Sequence, residues 1–456
     1  MKKTIRKILI ILFWIVVWAV LALAVDNKIL MVTPLQAAGE LLSLLGEASF
    51  YKSVAMSLLR IGIGFSAGFG IAVLLAAVSY HFPFMEECLA PVISLLKSIP
   101  VASFVVLLLI WWGSSFLAAA ISFLVVLPGI YISTLEGLKN VDRELLEMGR
   151  VFRLPVGSRF FYIYRPALRP YLFSGMRVAL GMSWKSGVAA EVIGMSDISI
   201  GGQLYLSKIY LNTAGVFAWT AVVVFLSFLF ERIVLWATEK FFEWQPVCRK
   251  PGVKSRRQSI KPKEEERGRR SRQDTTVAEP VVADDHGFAM ENVCKRYGSI
   301  TVFEDRNDSF EKGHVYYLRE PSGSGKTTLL RLLAGLEQPD SGTVKAAASC
   351  SMVFQEDRLC RGYSAVKNVE LVTGDAGVAR NALEQLLEPE ALDKPCETLS
   401  GGMKRRVALV RAMEADSECV LLDEPFTGMD VEIRTRAEEY IRARQNGRTL
   451  IIATHI

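Results

Sequence analysis

Long uncharged apolar runs dominate the first half of the chain. They cover residues 8–25, 61–80, 98–135 and 209–230. A helix needs roughly 17–25 residues to cross a bilayer, so the third run is long enough for two spans, with a hinge expected at Gly113, Ser114 and Ser115. The second run also holds small residues that would allow close helix contact: Gly62, Gly64, Ala67, Gly68 and Gly70. The pattern predicts five membrane-spanning helices.

A sixth, less apolar span is expected at residues 171–193. Five spans would place the two ends of the chain on opposite sides, yet the basic ends and the C-terminal motifs described below belong inside. The candidate span contains Arg177, Lys185 and Glu191. Charged residues in a span usually face the bundle interior or a water-filled path. We therefore expect Lys185 and Glu191 to lie along a translocation path.

The charges between the spans agree with this topology. Residues 136–170, which would lie inside, are rich in Lys and Arg, as the usual cytoplasmic bias requires. The expected external loops, near residues 26–57 and 194–208, contain few basic residues: Lys28, Lys52 and Lys208. The first apolar run follows a basic N-terminus and could be a signal peptide, but it lacks a clean cleavage site, so we expect a retained helix.

Composition shows where the charge lies. The 456 residues have a mean hydropathy of +0.28 and a formal net charge of +6, which argues against an ordinary soluble enzyme. The C-terminal third is acidic, and the densest positive charge falls in residues 249–283. This distribution disfavours a nucleic-acid-binding domain. Seven cysteines without a CxxC pair indicate neither a disulfide framework nor a zinc site.

Residues 249–283 are expected to be a flexible linker. They consist mainly of Arg, Lys, Ser, Glu and Pro, too few apolar residues to offset the entropy of ordering. Attraction to anionic lipid headgroups would contribute about 1 kcal/mol per basic residue near the membrane. A solvated tether fits the composition equally well.

A phosphate-binding loop is predicted at residues 320–328. The sequence Glu-Pro-Ser-Gly-Ser-Gly-Lys-Thr-Thr lies between a strand-like and a helix-like stretch, and it matches G-x-x-x-x-G-K-[ST] except at its first position. Backbone N–H groups would cradle phosphates, Lys326 would reach the β- and γ-phosphates, and Thr327 would bind Mg²⁺. The other expected nucleotide contacts in the loop are Ser322, Gly323, Ser324, Gly325 and Thr328.

Two acidic residues and a glutamine complete a candidate hydrolytic site. Gln355 follows a strand-like run and can reach Mg²⁺ and the attacking water. Residues 420–424 form an apolar strand that ends in Asp423, a candidate Mg²⁺ ligand, and Glu424, which would orient or deprotonate water.

This ordered set resembles the ATPases of ABC transporters over residues 288–456. Leu-Ser-Gly-Gly at residues 399–402 resembles the family signature, which contacts the γ-phosphate of ATP held by the other ATPase of a dimer. The resemblance implies that His455 is a switch histidine and that the Tyr297 ring stacks on adenine. It also implies nucleotide contacts from Ser400, Gly401, Gly402 and Asp430.

Residues 147–166 resemble the cytoplasmic loop of binding-protein-dependent ABC permeases. That loop has the form EAA, three residues, Gly, nine residues, Ile, one residue, Leu-Pro, and in the family it docks a short helix on the ATPase. The spacing places Glu147, Ile163 and Pro166 in the pattern. Departures from the pattern are Met148, Gly149, Arg153 and Arg165. An ordinary amphipathic connecting helix is the alternative.

Three further stretches, 180–185, 189–194 and 217–220, look like the nitrate, sulfonate and taurine branch of these permeases. The resemblance covers about residues 50–240. It implies an α-helical membrane bundle of about six transmembrane helices, followed by an α/β P-loop ABC ATPase domain that is short at its C-terminus. The expected boundaries are 1–248 for the permease domain, 249–283 for the linker and 284–456 for the ATP-binding domain.

Two departures bear on activity. Glu320 occupies the first glycine position of the loop, where its carboxylate would repel phosphates unless Arg319 pairs with it or it points away. Asp308 stands where the family strand is normally apolar. The chain also ends one residue after His455, so we expect an exposed sheet edge at residues 450–453 and a fraying terminus at His455.

The resemblance implies ATP-driven import of a small anion of the nitrate, sulfonate or taurine class, with ATP and Mg²⁺ as cofactors. Two copies, or one copy and a related half-transporter, would act together in the bacterial cytoplasmic membrane, with the N-terminus and the ATPase inside. An extracytoplasmic binding protein would deliver substrate. The alternative is a nucleotide-binding but poorly hydrolysing structural or regulatory subunit; an exporter is disfavoured because exporters lack the loop at residues 147–166.

Overall fold

The computed structural model describes residues 2–25, 27, 29–244, 288–321 and 323–454. The expected linker, Ser322 and His455 lie outside the described residues. The chain divides into a helical unit, formed by residues 1–141 and 166–244, and an α/β unit, formed by residues 142–165 and 245–456.

The first eleven helices are α1 (Lys2–Val25), α2 (Pro34–Leu45), α3 (Ala48–His81), α4 (Pro83–Ser98), α5 (Val101–Trp112), α6 (Leu117–Lys139), α7 (Arg143–Val151), α8 (Val156–Arg159), α9 (Arg165–Ile193), α10 (Ile200–Ile209) and α11 (Thr213–Glu243). All but α7 and α8 build the helical unit. A π-helical turn, Phe160–Tyr164, joins α8 to α9. The loops expected outside the membrane are partly helical, because α2, the start of α3 and α10 fall within them.

The helical unit has a close contact between α3 and α6. A side chain at Gly64 would come within 2.2 Å of the Ala119 carbonyl oxygen, and one at Gly68 would come within 3.0 Å of the Phe123 carbonyl oxygen. Glycine is therefore required at residue 64 for the two backbones to approach, and a side chain at residue 68 would crowd α6. The sequence prediction of close helix contact is confirmed at these two residues.

Four helices among the described residues are long and apolar enough to cross a membrane by length and composition. They are α1 from residue 8, α3, α6 and α11. The run expected to form two spans does break at Gly113, but α5 has only 12 residues, about 18 Å at 1.5 Å per residue. It forms a broken pair with α4, bent by 100°, which would make a fifth span.

The expected sixth span is helical within α9, which runs through all of residues 171–193. Because of its charged residues it is not one of the four helices that are apolar enough to cross a membrane by composition, as expected from the sequence. The helical architecture of the membrane half is confirmed.

The α/β unit contains β1 (Phe288–Tyr297), β2 (Ile300–Phe310), β3 (Val315–Leu318), α12 (Lys326–Leu333), β4 (Ser341–Lys345), β5 (Cys350–Val353), α13 (Ala365–Thr373), α14 (Ala376–Leu383), α15 (Pro389–Leu392), α16 (Gly401–Glu414), β6 (Cys419–Asp423), α17 (Val431–Ala443) and β7 (Thr449–Ala453). One sheet is antiparallel, in the order β2-β1-β4, and the other is parallel, in the order β3-β7-β6-β5.

The expectation of an exposed sheet edge at residues 450–453 is wrong. Strand β7 lies between β3 and β6 and pairs in parallel with both. Its residues Leu450 to Ala453 are at most 1% exposed. Both edges of β7 are hydrogen-bonded to other strands, so β7 is a central strand of the sheet. This places the carboxyl ends of β3 and β6, and the loops that follow them, at the same edge of the sheet on either side of β7.

Candidate functional site

The predicted phosphate-binding loop joins β3 to α12. Gly323 and Gly325 have φ angles of +85° and +91°, a region that side chains rarely tolerate. A Cβ at Gly325 would also lie 2.6 Å from Val302 Cγ1. Helix α12 begins at Lys326, so its first N–H groups face the loop, as anion binding at a helix N-terminus requires.

Lys326 is buried and folds back over the loop. Its Nζ donates to the carbonyl oxygens of Glu320, at 2.5 Å, and Pro321, at 3.0 Å. These two contacts keep the ammonium beside the loop backbone, from which it can turn towards a bound phosphate.

Glu320 is neutralised by a residue that the sequence analysis did not identify. Arg306 on β2 donates from Nη2 to Glu320 Oε1 at 2.7 Å and from Nε to Asp308 Oδ2 at 2.6 Å. The expected partner, Arg319, instead stacks over the Tyr317 ring, with its Cζ 5.5 Å from the ring centroid. Hydrogen bonds from Arg306 hold the pKa of Glu320 below its ordinary value. Asp308, the other departure, holds Arg306 in place.

Arg306→Gln is expected to weaken ATP binding by about fivefold, because it leaves the Glu320 carboxylate uncompensated beside the phosphates. Glu320→Gln in the same chain should restore the affinity. The measurement is the ATP dissociation constant of the full-length protein in nanodiscs. The interpretation fails if Arg306→Gln has no effect, or if Glu320→Gln does not rescue it.

A candidate Mg²⁺ site lies between the phosphate-binding loop and the end of β6. Asp423 is 1% exposed, and its Oδ2 has no hydrogen-bond partner among the described residues. Burial, with the charge of Glu424, raises the pKa of Asp423, while a hydrogen bond from Thr327 opposes the rise. A buried, partnerless carboxylate oxygen beside a threonine hydroxyl is a donor set that suits a hard divalent cation.

Glu424 follows Asp423 in a strained backbone conformation. Its φ angle is +49°, a region that costs a non-glycine residue about 1–3 kcal/mol. Its N–H donates to the Ala453 carbonyl at 2.9 Å, so β7 fixes where the strand ends. Thr427 Oγ1 lies 3.4 Å from Glu424 Oε2.

Arg405 is a second residue that the sequence analysis missed. It is 3% exposed and donates to the backbone carbonyls of both candidate catalytic segments. These are Phe354, Gln355, Asp423 and Glu424. One buried guanidinium thus holds the Gln355 loop against the end of β6. From the sequence it is only one of several basic residues on a helix.

The signature segment forms the N-terminus of α16. Ser400 caps the helix, its Oγ accepting from the Met403 N–H at 3.3 Å, and Gly401 and Gly402 start the first turn. A Cβ at Gly402 would lie 2.5 Å from the Gly428 carbonyl oxygen. Asp430 caps α17 by accepting from the Ile433 N–H at 2.8 Å. Ser400 and Asp430 are both exposed.

Tyr297 ends β1 and is 44% exposed. The hydroxyl donates to Glu337 Oε2. Burial and this hydrogen bond raise the pKa of Tyr297, and a contact with Thr328 opposes the rise. Lys295 Nζ lies over the ring, 5.3 Å from its centroid, so the exposed part of Tyr297 that could stack on a base lies beside the first turn of α12.

The segment 142–165 belongs to the α/β unit. Asp142 caps α7, and Glu147 on that helix lies 2.7 Å from Arg358 Nη1 and 3.3 Å from Arg331 Nη1. Burial would raise the pKa of Glu147, but hydrogen bonds from Arg358 and Arg331 outweigh it and lower the pKa.

The rest of this segment is fixed by packing. Ile163 is buried, with its Cδ1 3.2 Å from where a Cβ of Gly149 would lie. Phe152 covers the guanidinium of the buried Arg411 at 5.0 Å. Arg153 is exposed in a left-handed turn with a φ angle of +50°. Pro166 lies in the first turn of α9, in the helical unit.

Comparison with known protein families matches both halves. Residues 68–241 match the binding-protein-dependent transport system inner membrane component, and residues 303–427 match the ABC transporter family. An aliphatic sulfonates import ATP-binding protein of Paraburkholderia xenovorans is 37% identical over 184 residues, which are 39% of this chain and 74% of that protein. The chain belongs to the ABC transporter family.

Other import ATP-binding proteins are also similar to this chain. An aliphatic sulfonates import ATP-binding protein of Rhodococcus jostii is 38% identical over 38% of this chain and 66% of its own length. A sulfate/thiosulfate import ATP-binding protein of Synechococcus elongatus is 37% identical over 34% of this chain and 51% of its own length. A solved dimeric ATP-binding cassette with ADP and phosphate gives a TM-score of 0.34 at 24% identity, covering 37% of this chain and 88% of that one.

The comparisons establish an ABC ATPase domain in the same polypeptide as an integral membrane transport component. ATP binding belongs to that domain. The chain spans between half and three quarters of the length of these relatives.

The two charged residues expected along the transport path have different surroundings. Glu191 is fully buried and accepts hydrogen bonds from Ser57 Oγ, at 2.7 and 2.8 Å, and from the Gly201 N–H, at 3.1 Å. Lys185 is exposed and makes no ion pair with the described part of the chain. Glu191 thus ties α9 to α3 and α10, whereas Lys185 is accessible.

Proposed function

We propose that this chain drives the import of a small anion, of the nitrate, sulfonate or taurine class, across the cytoplasmic membrane by ATP hydrolysis. The observation that carries the proposal is the position of segment 142–165 on the ATPase. A loop between two membrane helices packs within the α/β unit, and Glu147 forms ion pairs there. The relatives named for import of aliphatic sulfonates and sulfate/thiosulfate support an oxyanion as the substrate.

The proposed chemistry uses each part of the nucleotide site. Lys326 and the N–H groups of the loop bind the phosphates of ATP, and Tyr297 stacks on adenine. Thr327, Asp423 and Gln355 hold Mg²⁺, which neutralises phosphate charge when bound. Glu424 orients or deprotonates the attacking water, and Arg405 keeps Glu424 and Gln355 in register. Ser322 and His455 complete the expected set from outside the described residues.

The proposed assembly contains two ATPase domains. Ser400, Gly401 and Asp430 are exposed and Gly402 is half-buried beside them, which leaves this surface available for a contact with the nucleotide of a second chain. We therefore propose a homodimer, or a pair with a related half-transporter. We also propose a bacterial inner-membrane protein with a cytoplasmic N-terminus and ATPase domain, and with the domain boundaries given above. An extracytoplasmic binding protein delivers the substrate, and residues 249–283 tether the two domains, near membrane lipid.

Deletion of the gene in its native host is expected to abolish uptake of one radiolabelled anion among taurine, ethanesulfonate, nitrate and sulfate. The native host is chosen because it supplies the binding protein. The wild-type chain should restore uptake, and the Glu424→Gln chain should not. Equal restoration by both chains would mean that this ATPase does not drive import and would favour the poorly hydrolysing subunit.

A second experiment tests Lys185 with the Lys185→Met chain in the same uptake assay. An unchanged uptake KM would show that Lys185 does not contact the substrate along the translocation path.

A further inference from the structure

A continuous series of polar contacts connects Tyr297, the expected adenine contact, to Glu147 in segment 142–165. The Tyr297 hydroxyl donates to Glu337 Oε2. The other oxygen of Glu337 accepts from Arg331 Nε at 2.5 Å. The two terminal nitrogens of Arg331 lie 3.3 Å from the carboxylate of Glu147. All four residues lie in the α/β unit.

Arg331 is the junction of this series. It sits between two carboxylates and divides its donors, with Nε on Glu337 and both terminal nitrogens on Glu147. The side chains of Arg331, Glu337 and Glu147 are 21%, 18% and 27% exposed, so solvent screens their interactions less than those of surface pairs. A change in the position of Glu337 therefore changes the distance and orientation of the ion pair between Arg331 and Glu147.

Each end of the series faces a functional segment. At one end Tyr297 is 44% exposed, with Lys295 over its ring, and its hydroxyl is held by Glu337. At the other end Glu147 also pairs with Arg358 at 2.7 Å. The Arg358 guanidinium stacks on the Phe354 ring at 4.2 Å, next to Gln355. Glu147 is thus linked to Tyr297 through Arg331 and Glu337, and to the segment of Gln355 through Arg358.

We propose that Glu337 and Arg331 are positioning residues that couple adenine binding on Tyr297 to the seating of Glu147. Adenine stacked on the ring fixes the tyrosine, whose hydroxyl then fixes Glu337 and keeps Arg331 directed at Glu147. Coupling of this kind is reciprocal, so a well-seated Glu147 also favours nucleotide binding. The proposal rests on the assignment of Tyr297 to adenine made under the proposed function.

The hydroxyl of Tyr297 distinguishes this role from stacking alone. A phenylalanine ring stacks on adenine equally well, but it cannot donate to Glu337. Tyr297→Phe therefore removes one contact of the series and retains the stacking surface. Glu147→Gln similarly removes the charge at the other end and keeps the size of the side chain.

The test is a double-mutant cycle on the full-length protein in nanodiscs. The dissociation constant of a non-hydrolysable ATP analogue is measured for wild type, Tyr297→Phe, Glu147→Gln and the double variant. Each single substitution is expected to weaken binding about threefold, and the double variant no more than either single one, because coupled residues do not add. Glu337→Gln should reproduce the loss. Thermal melting verifies that each variant is folded.

Tyr440 provides a matched control within the same domain. Its hydroxyl donates to Glu414 at 2.6 Å, and Glu414 pairs with Arg444 at 3.1 Å. This is the same arrangement of tyrosine, glutamate and arginine as in the series of Tyr297, Glu337 and Arg331, but it makes no contact with Glu147 in the described part of the chain. Tyr440→Phe should leave nucleotide affinity unchanged, and its effect should add to that of Glu147→Gln.

Strict additivity of Tyr297→Phe and Glu147→Gln would overturn the proposal, as would an unchanged affinity in the Tyr297→Phe variant. The readout is nucleotide affinity and does not need transport. If the two substitutions add, the coupling is contradicted and the proposed import is unaffected. If they do not add, but the wild-type chain fails to restore uptake, the proposed import is contradicted and the coupling stands.

Discussion

Glu424→Gln is expected to lower the ATP hydrolysis rate by about 100-fold or more while ATP affinity stays within about twofold, because general-base contributions are typically of this size. The carboxylate follows the candidate Mg²⁺ ligand Asp423, and the backbone at Glu424 is held in a left-handed conformation by Arg405 and Ala453. Such strain persists only where surrounding contacts fix it. The amide keeps the shape of the side chain and loses the base.

The measurement is phosphate release from the full-length protein in nanodiscs, with ATP affinity measured in parallel. Glu432→Gln is the matched control, since Glu432 is an exposed glutamate on α17 and its loss should leave the rate unchanged. A wild-type rate equal to that of Glu424→Gln would instead identify a chain that binds nucleotide without efficient turnover.

The backbone geometry of the expected nucleotide site was predictable because its motifs encode local conformation. Gly323 and Gly325 are needed for positive φ angles, and Asp423 ends a strand that is wholly buried. A residue type at a fixed position in one loop or strand leaves its mark in the sequence. The same holds for Ser400 and Asp430, which cap the helices that they precede.

The supporting residues were not predictable, because their roles arise from contacts between distant parts of the chain. Arg306, on β2 of the antiparallel sheet, neutralises Glu320 at the end of β3 in the parallel sheet, and Arg405 reaches carbonyls about 20 and 50 residues away along the chain. Nothing near Arg306 or Arg405 in the sequence marks the partner.

Strand order and helix bending are also non-local. The apolar run of β7 does not show whether one or both of its sides are paired. The uncharged run at residues 98–135 shows its break at Gly113, but hydropathy does not reveal that α5 bends 100° from α4. Pro100, at the N-cap of α5, is the local sign of that bend, since the residue before a proline is biased towards extended backbone.

The mixed dimer of a Lys326→Met chain and a Ser400→Arg chain, isolated by two different affinity tags after co-expression, is expected to have about half of the wild-type ATPase activity, because symmetric dimers repeat each interface. If each ATP is bound by Lys326 of one chain and Ser400 of the other, each variant alone has two defective sites. In the mixed dimer both defects fall in one site, and the other site is intact.

The control keeps the same two substitutions and the same stoichiometry. A chain carrying both Lys326→Met and Ser400→Arg is paired with the wild-type chain, and the mixed dimers are isolated by two different affinity tags. Each site then receives one defect, so activity should stay near that of the single variants. Equal activity in the two arrangements would contradict a site shared between chains. It would leave each ATPase to act on its own nucleotide, with the exposed Ser400 surface serving another contact.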